Sequence, residues 1–572
     1  MDDAMERGEG DEFNRTLLCF NDEPLDLFIM EKYLLYRDDV KDLPFTVMRL
    51  VYLYHILKKI NEERRRGEGG AGSEFVAAVS RLIQRQTGGG EFRPIVAETD
   101  ETFSVWLGKT LKYSSPKHIT RLFKILEKES RGQSANIIWH ALRMNTISGT
   151  KFYNALFLGT LTLGVEPTFQ AAHAEGVHFG LAHEGLVRAL LERYVAWQRP
   201  ALPGGLGLLI DPTTGLLGAS LDVCFGVDKD AAGLISVEAG SLICEIKCRY
   251  KYLRARDDPA VRALLRRPDK DTFAAFILSH RIPGIEYRDV GEAPSVREFL
   301  LTRDRTFNNR KRSRPGQVPE LLKPYLSDLL YLNESEQSEV IIFDTDAPDD
   351  EESRDGEIGA AEGGAASAKA DGGDPGDPGG DLGDLGDPTR PASEPPPFSE
   401  RDDGPPASAA AAWEESPEAG GSSAVTTTLG LRERTRFRLP VFANPRHPYY
   451  FQTLVQQYVL SQYYIRGHPN PEYILVQDLP RVRLVSAILR ERGPHEIGKR
   501  LDVAGQVFDC AHLPLAIIVT PVVFDPTFNR DVLLRVLNRW EREVGRRTGL
   551  PIWVPNAVND YVTSSTPRPP TP

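Results

Sequence analysis

Between residues 206 and 250 short apolar runs alternate with dense turn signals. Leu206-Gly-Leu-Leu-Ile210 and Leu216-Leu-Gly-Ala-Ser-Leu-Asp-Val-Cys-Phe225 flank Asp211-Pro-Thr-Thr-Gly215, a pattern that predicts two strands joined by a tight turn. A second break at Val227-Asp-Lys-Asp-Ala-Ala-Gly233 leads into Ser241-Leu-Ile-Cys-Glu-Ile-Lys-Cys-Arg-Tyr250, which predicts a third strand. Apolar residues recur at helical spacing in Thr46–Ile60 and His118–Ser130, predicting a helical N-terminal part, and Leu181–Leu191 also reads as helical. Towards the C-terminus, Tyr473-Ile-Leu-Val476 and Leu515-Ala-Ile-Ile-Val-Thr520 carry strand signals and Asp531–Val544 a helical one. The fold class these signals predict is α/β.

The chemistry concentrates in the predicted strands. Side chains two apart on a strand share a face, so Glu245 and Lys247 point together while Ile246 points into the core. If the strands pair as a meander, Asp222 falls beside Glu245. Two converging carboxylates make a hard, oxygen-rich site suited to Mg²⁺ or Mn²⁺, to which the Ile246 carbonyl could add a ligand. A metal held there would lower the pKa of a bound water, and Lys247 would orient that water or neutralise a phosphorane. The competing account of Glu245 and Lys247 is a surface ion pair on an ordinary strand. Glu-x-Lys occurs only here in the chain, however, and the sole Asp-x-Lys, Asp39-Val40-Lys41, has no strand signal around it.

Composition narrows the setting. With 572 residues, 41% of them hydrophobic, the chain can build a large core. It opens Met1-Asp-Asp-Ala with no basic-apolar-cleavage pattern, and no apolar stretch approaches about 18 residues, so a soluble protein outside the secretory route is expected. Five cysteines, at 19, 224, 244, 248 and 510, show neither paired nor metal-binding spacing and are expected as reduced thiols. His173, His178 and His183 recur every five residues, about 140° apart on a helix, and so cannot converge on one ion. They read as loop and helix-surface residues.

Charge is unevenly placed. Residues 344–420 are nearly all Asp, Glu, Gly, Pro, Ala and Ser, a composition expected to be disordered. They hold 22 acidic and four basic side chains, a net of −18, which leaves +6 on the rest of a chain whose total is −12. The body is therefore basic, as a protein that meets nucleic acid should be. Arg303, Arg305, Arg310, Lys311, Arg312 and Arg314 form a basic run that could grip phosphates, act as a nuclear-import signal or simply be a solvated loop. Arg249 and Lys251 alternate beyond Lys247 and are better placed towards a scissile strand.

Four motifs follow in order: Trp139-His-Ala-Leu-Arg143, Ile147-Ser148-Gly149-Thr150, Leu217-Gly-Ala-Ser220-Leu-Asp222 and Glu245-Ile-Lys247. The set resembles the PD-(D/E)xK exonucleases of the bacteriophage lambda exonuclease type, and its wording is similar to the herpesvirus alkaline nuclease family. The resemblance covers about residues 100–340 and 431–560. It implies a restriction-endonuclease-like α/β core, a central mixed sheet flanked by helices, with an N-terminal helical part and a disordered acidic insertion. The organisation expected is a disordered N-terminus over 1–12, a nuclease domain over 13–343 and 431–560 interrupted by the insertion at 344–430, and a disordered tail over 561–572. By resemblance Asp222 and Glu245 are metal ligands with Ile246, Lys247 is the catalytic lysine, and Glu184 is a further acidic residue brought from a helix. For Glu184 a solvent-facing helix residue is the alternative reading of the sequence. Arg143, Ser148 and Thr150, with Ser220, are implied to bind the substrate phosphate; a helix-surface charge and a helix cap are the plain alternatives. The family's Ala-Ser-Pro-Asp is Ala219-Ser220-Leu221-Asp222 here, which loosens the approach to Asp222. A glutamine-bearing helix has candidates in Gln452, Gln456 and Gln457, which the sequence does not separate from surface amides.

The implied activity is Mg²⁺-dependent (or Mn²⁺-dependent) exonuclease and endonuclease cleavage of double- and single-stranded DNA from 5′ ends, at alkaline pH. The implied setting is maturation, packaging and recombination of branched viral DNA in the host nucleus, with the host cytoplasm as a second compartment. The virus's single-stranded DNA-binding protein is the implied partner. The alternatives are a nucleic-acid-binding scaffold without catalysis, and a nuclease that also cleaves host messenger RNA.

Overall fold

The computed structural model describes residues 45–66, 72–86, 107–159, 161, 175–195, 202, 205–248, 250–287, 321–345 and 428–548. Within these, the site is organised by helices α1 (Phe45–Arg66), α2 (Pro116–Glu129), α3 (Ile137–Met144), α4 (Gly149–Tyr153), α5 (Glu175–Tyr194), α6 (Pro448–Gly467) and α7 (Pro526–Thr548). The strands are β1 (Leu209–Ile210), β2 (Gly218–Ala219), β3 (Val223–Lys229), β4 (Ile235–Cys248), β5 (Ile285–Tyr287), β6 (Ser338–Thr345), β7 (Thr428–Leu439), β8 (Val441–Ala443), β9 (Arg481–Glu491), β10 (Arg500–Val503), β11 (Gln506–Phe508) and β12 (His512–Val522). Eight of them form one mixed sheet in the order β11-β10-β7-β6-β12-β9-β4-β3. Its parallel pairs are β4 with β9 and β10 with β7.

Both faces of the sheet are covered, which is why its central strands are apolar nearly throughout. One face carries Ile243, Leu484, Ile488, Ile518 and Ile342 against the buried residues of α6. The other carries Cys244, Ile246, Val485, Ile517 and Ile341 against Leu186, Val187 and Leu190 of α5. The period of two along β4 thus sends Ile246 to the α5 face and Glu245 and Lys247 to the α6 face. No helix is long and apolar enough to cross a membrane among the described residues.

The helical part is tied to the loops before the sheet. Ser115 caps α2 by accepting from the His118 amide, with Pro116 in the first turn where no amide hydrogen is missed. Arg49 of α1 is fully buried and donates to the carbonyls of Gly215 (2.8 Å) and Asn145 (2.7 Å), stitching the 211–215 turn to the end of α3. The expected turn is present: β1 and β2 pair across it, and the buried Asp211 carboxylate accepts from the Thr213 and Thr214 amides.

The structure departs from the sequence reading in four places. Residues 473–476 are not a strand: short 3₁₀ turns at Pro471–Tyr473 and Val476–Asp478 occupy the segment, and Tyr473 is 74% exposed. Pro471 removes a ladder donor there, and the strand signal passes to β9, ten residues on, which the charges at its ends disguise. β4 begins at Ile235 rather than Ser241. His183, expected on a helix surface, is buried, its Nδ1 2.8 Å from the Phe179 carbonyl and its Nε2 3.3 Å from His512. Finally, β6 and β7 reach into both edges of the expected insertion and pair antiparallel with Thr345 opposite Leu431. The chain therefore leaves and re-enters at one hairpin end, and the parts on either side belong to one compact unit. The bulk of the insertion, both chain ends, the Arg303–Arg314 run, Cys19, His173 and Arg249 lie outside the described residues.

Candidate active site

The meander places the carboxylates together. Val223 pairs with Cys244, so Asp222 follows on opposite Glu245, and its Oδ2 accepts from the Ile246 amide at 2.8 Å. The N–H and C=O of a strand residue point to the same edge, so the Ile246 carbonyl also faces the Asp222 side, beyond the end of β3 pairing. Glu245 is 1% exposed and Lys247 11%, and the lysine Nζ donates to Glu245 Oε1. The pair is therefore buried, which rules out a surface ion pair. The same Nζ lies 4.8 Å from the centre of the Tyr449 ring.

Helix α6 supplies what the sequence left undecided. Gln452 and Gln456, four apart on one helical face, both turn onto Glu245: the Gln452 amide donates to Oε1 and the Gln456 amide to Oε2. Gln456 also donates to the Ser220 carbonyl at 2.9 Å, joining the Ala-Ser-Leu-Asp loop to Glu245. An ionised carboxylate offers about four lone-pair positions. Lys247, Gln452 and Gln456 take three, leaving one on Oε2.

Glu184 reaches the site from α5. Arg188, one turn on, donates to the Asp222 carbonyl at 2.9 Å and lies 3.8 Å from the Glu184 carboxylate. Burial raises the Glu184 carboxyl; Arg188 opposes the rise and Glu245 adds to it. Burial, and then Glu245, raise Asp222 well above the usual carboxylate range. Burial alone would lower Lys247, but Glu245 and Asp222 hold its ammonium above the ordinary lysine value. Carboxylates crowded out of water in this way disfavour being ionised together, which a proton or a nearby cation relieves. Among the described residues no three His, Cys, Asp or Glu side chains are gathered closely enough to hold a metal by themselves. The donors that fit one are Asp222, the free position of Glu245 and the Ile246 carbonyl, a sparse hard-oxygen set of the kind that leaves Mg²⁺ room for water and substrate phosphate.

The residues that the resemblance assigns to phosphate lie on the segments before and after this centre's first carboxylate loop. Ile147 bridges to Leu217, donating to the Leu216 carbonyl at 2.8 Å and accepting from the Gly218 amide at 3.1 Å. Arg143 stacks on Trp139, 4.6 Å from its ring centre, and Trp139 Nε1 donates to Ser220 Oγ at 3.1 Å. Lys151 Nζ holds the carbonyls of Arg143, Met144 and Thr146 at 3.3, 3.0 and 3.3 Å. Ser148 occupies the cap position of α4, but its hydroxyl makes no cap bond, and Thr150 is exposed. The structure thus joins Arg143 to Ser220 through Trp139, and the Ile147–Thr150 segment to the loop that carries Ser220 through the Ile147–Leu217 bridge. Arg188 and Tyr449 had no sequence signal, whereas the i, i+4 spacing of Gln452 and Gln456 was visible without its meaning.

A mixed sheet with two carboxylates and a lysine at the end of one strand pair, backed by helices on both faces, is the arrangement that the resemblance to PD-(D/E)xK exonucleases implies. The model of the viral alkaline exonuclease family matches residues 17–558, and the chain belongs to that family. It is 44% identical over 606 residues to the alkaline nuclease of human cytomegalovirus strain Merlin, covering 100% of this chain and 99% of the relative. It is 31% identical over 555 residues to the alkaline nuclease of human herpesvirus 6B strain Z29, covering 96% and 97%. In fold it is similar to the shutoff and exonuclease protein from Kaposi's sarcoma-associated herpesvirus, with a TM-score of 0.61 at 18% identity, covering 95% of this chain and 94% of the other. The chain is a nuclease.

Proposed function

We propose that this nuclease degrades double-stranded DNA from its 5′ ends in a Mg²⁺-dependent reaction, nicks DNA internally as well, and processes branched viral DNA in the host nucleus together with the viral single-stranded DNA-binding protein. The observation that carries the reading is the buried Glu245, held by Lys247, Gln452 and Gln456 beside Asp222. A carboxylate with that many fixed donors and one free position is built for a single further ligand, which a binding scaffold would not need. A bound divalent cation would activate water and stabilise the leaving oxygen. Asp222, Glu245 and the Ile246 carbonyl would hold it, and Lys247 would orient the attacking water or neutralise charge on the phosphorane. Arg143, Ser148 and Thr150 take a terminal 5′ phosphate, with Ser220 lining the path between. Glu184, tied through Arg188 to the Asp222 carbonyl, completes the acidic side.

A relative was solved as a DNA complex and the same protein as an RNA complex, which makes RNA the substrate to try second. The test of the primary reading is substitution of the carboxylates. Asp222→Ala and Glu245→Ala proteins are expected to lose all cleavage of linear duplex and to bind it as well as, or better than, the unsubstituted protein, since an anionic charge has gone. Near-normal digestion by Glu245→Ala would remove the site.

A further inference from the structure

We infer that Gly149 is a positioning residue: it sets the spacing between the end-phosphate grip and the cleavage centre, and so the rate at which the terminal linkage is cut. The inference rests on the function proposed above. Gly149 lies between the two phosphate residues Ser148 and Thr150, at the start of α4, where that helix crosses α6 at Gln452. A Cβ on Gly149 would stand 2.6 Å from the Gln452 Cα, 2.9 Å from its Cβ and 3.0 Å from its Cγ. The first of these is backbone and cannot swing aside. Gln452 is itself one of the two amides that hold Glu245. A single close crossing therefore joins the phosphate residues to the carboxylate through one side chain, that of Gln452.

The opposite flank of the grip is closed in the same way. A Cβ on Gly218 would meet Thr146 Oγ1 at 2.4 Å, and Gly218 precedes the Ser220–Asp222 loop. The segment from Thr146 to Thr150 is thus pressed between the metal-side loop and α6, with a glycine at each contact. The far end of the α4 segment packs on an aromatic cluster: the Phe451 ring centre lies 6.4 Å from that of Phe152, 5.6 Å from that of Tyr153 and 5.1 Å from that of Phe157. Such a frame holds the distance between two phosphate positions, that of the terminal phosphate and that of the scissile one. A displacement of about 1 Å in such a frame costs roughly 100-fold in rate.

Of the two helices, α4 is five residues long and α6 is twenty. Added bulk should therefore shift α4 and leave Gln456 and Glu245 in place. Lys151 ties α4 to the carbonyls of Arg143, Met144 and Thr146, so the grip should shift with α4 rather than come apart. In Gly149→Ala we expect kcat on 5′-phosphorylated duplex to fall about 100-fold. KM for that substrate, and its ratio to the 5′-hydroxyl duplex, should stay within about threefold of the unsubstituted protein, and nicking of circular single strands should fall less than tenfold. Phe451→Leu, which loosens the crossing from its other end and keeps Gly149, should show the same split between kcat and KM with a smaller loss, so a failure of Gly149→Ala to fold would still leave a test. Loss of the 5′-phosphate preference in KM would overturn the inference by making Gly149 part of the grip. Equal loss of exonuclease and nicking rates would overturn it by making the crossing merely structural. If the unsubstituted protein shows no preference for 5′-phosphorylated ends, the end-recognition reading fails instead.

Discussion

At the scale of single residues, the site is defined by how Glu245 is held. Its carboxylate is buried and its nearest cation is Lys247, so removing the lysine leaves a charge in low dielectric with only two amides. Lys247→Ala should abolish cleavage and cost about 3 kcal/mol of stability, as breaking a buried pair does, where an exposed pair would cost at most about 1 kcal/mol. Chemical denaturation of the metal-free protein measures this. The double variant Glu245→Gln/Lys247→Met should recover most of the stability and none of the activity. A Lys247→Ala protein that is as stable as the unsubstituted one would mean that the pair is solvated in solution. The adjacency of Asp222 and Glu245 was legible in the sequence, because strand period and a meander suffice to place one beside the other. The roles of Gln452 and Gln456 were not, because an amide on a helix is indistinguishable from a surface residue until α6 is packed on the sheet. Arg188 illustrates the same limit: its hydrogen bond to the Asp222 carbonyl joins residues 34 apart in the chain.

At the scale of elements, the hairpin end where the insertion departs is locked by Glu496. Its carboxylate accepts from both Arg490 Nη atoms at 2.7 Å, from the Gly493 amide at 2.6 Å and from Thr345 Oγ1 at 2.9 Å, the last residue of β6. Burial by itself would raise this carboxyl, but the donors, Arg490 foremost, bring it down to about 2 from the ordinary 4.5. A depressed carboxyl pKa stabilises the fold above the unfolded value and loses that contribution as pH falls through the folded one. Glu496→Gln should therefore lower stability at pH 7 by about 3 kcal/mol, and the gap to the unsubstituted protein should close between about pH 4.5 and pH 2. Melting curves across that range check it; a gap independent of pH would remove the lock. Element identity was readable where one signal dominated, as in α2 or β12. It failed at residues 473–476, where four consecutive apolar side chains suggested a strand but follow Pro471 on an exposed turn. It missed β9, because Arg481, Arg483, Arg490 and Glu491 interrupt the apolar run at both ends.

At the scale of the whole molecule, the sheet order is what no local pattern reveals. β4 and β9 are parallel neighbours, with Lys247 opposite Ser486, although more than 200 residues and the entire insertion separate them. The site therefore forms only when the parts before and after the insertion fold together. Because β6 and β7 pair across the insertion, with Thr345 opposite Leu431, its two ends are already adjacent in the fold. Replacing residues 347–420 with a short Gly/Ser spacer should leave a folded, active nuclease. The deletion removes 20 acidic and four basic side chains, so affinity for DNA should rise, most clearly at low salt. Loss of folding on deletion would show that the segment packs against the body.

The most direct test of the central claim uses the full chain and a linear duplex labelled at its 5′ ends. Protein freed of metal by chelation and dialysis is incubated with the duplex, with and without added Mg²⁺, and the label is followed by size. With Mg²⁺ the label should appear as 5′-mononucleotide, and without it the duplex should stay bound and intact. Cleavage that persists in the metal-free protein, or a duplex that is bound yet uncut at any Mg²⁺ concentration, would contradict the assignment of Asp222, Glu245 and Lys247 to a metal-dependent nuclease centre.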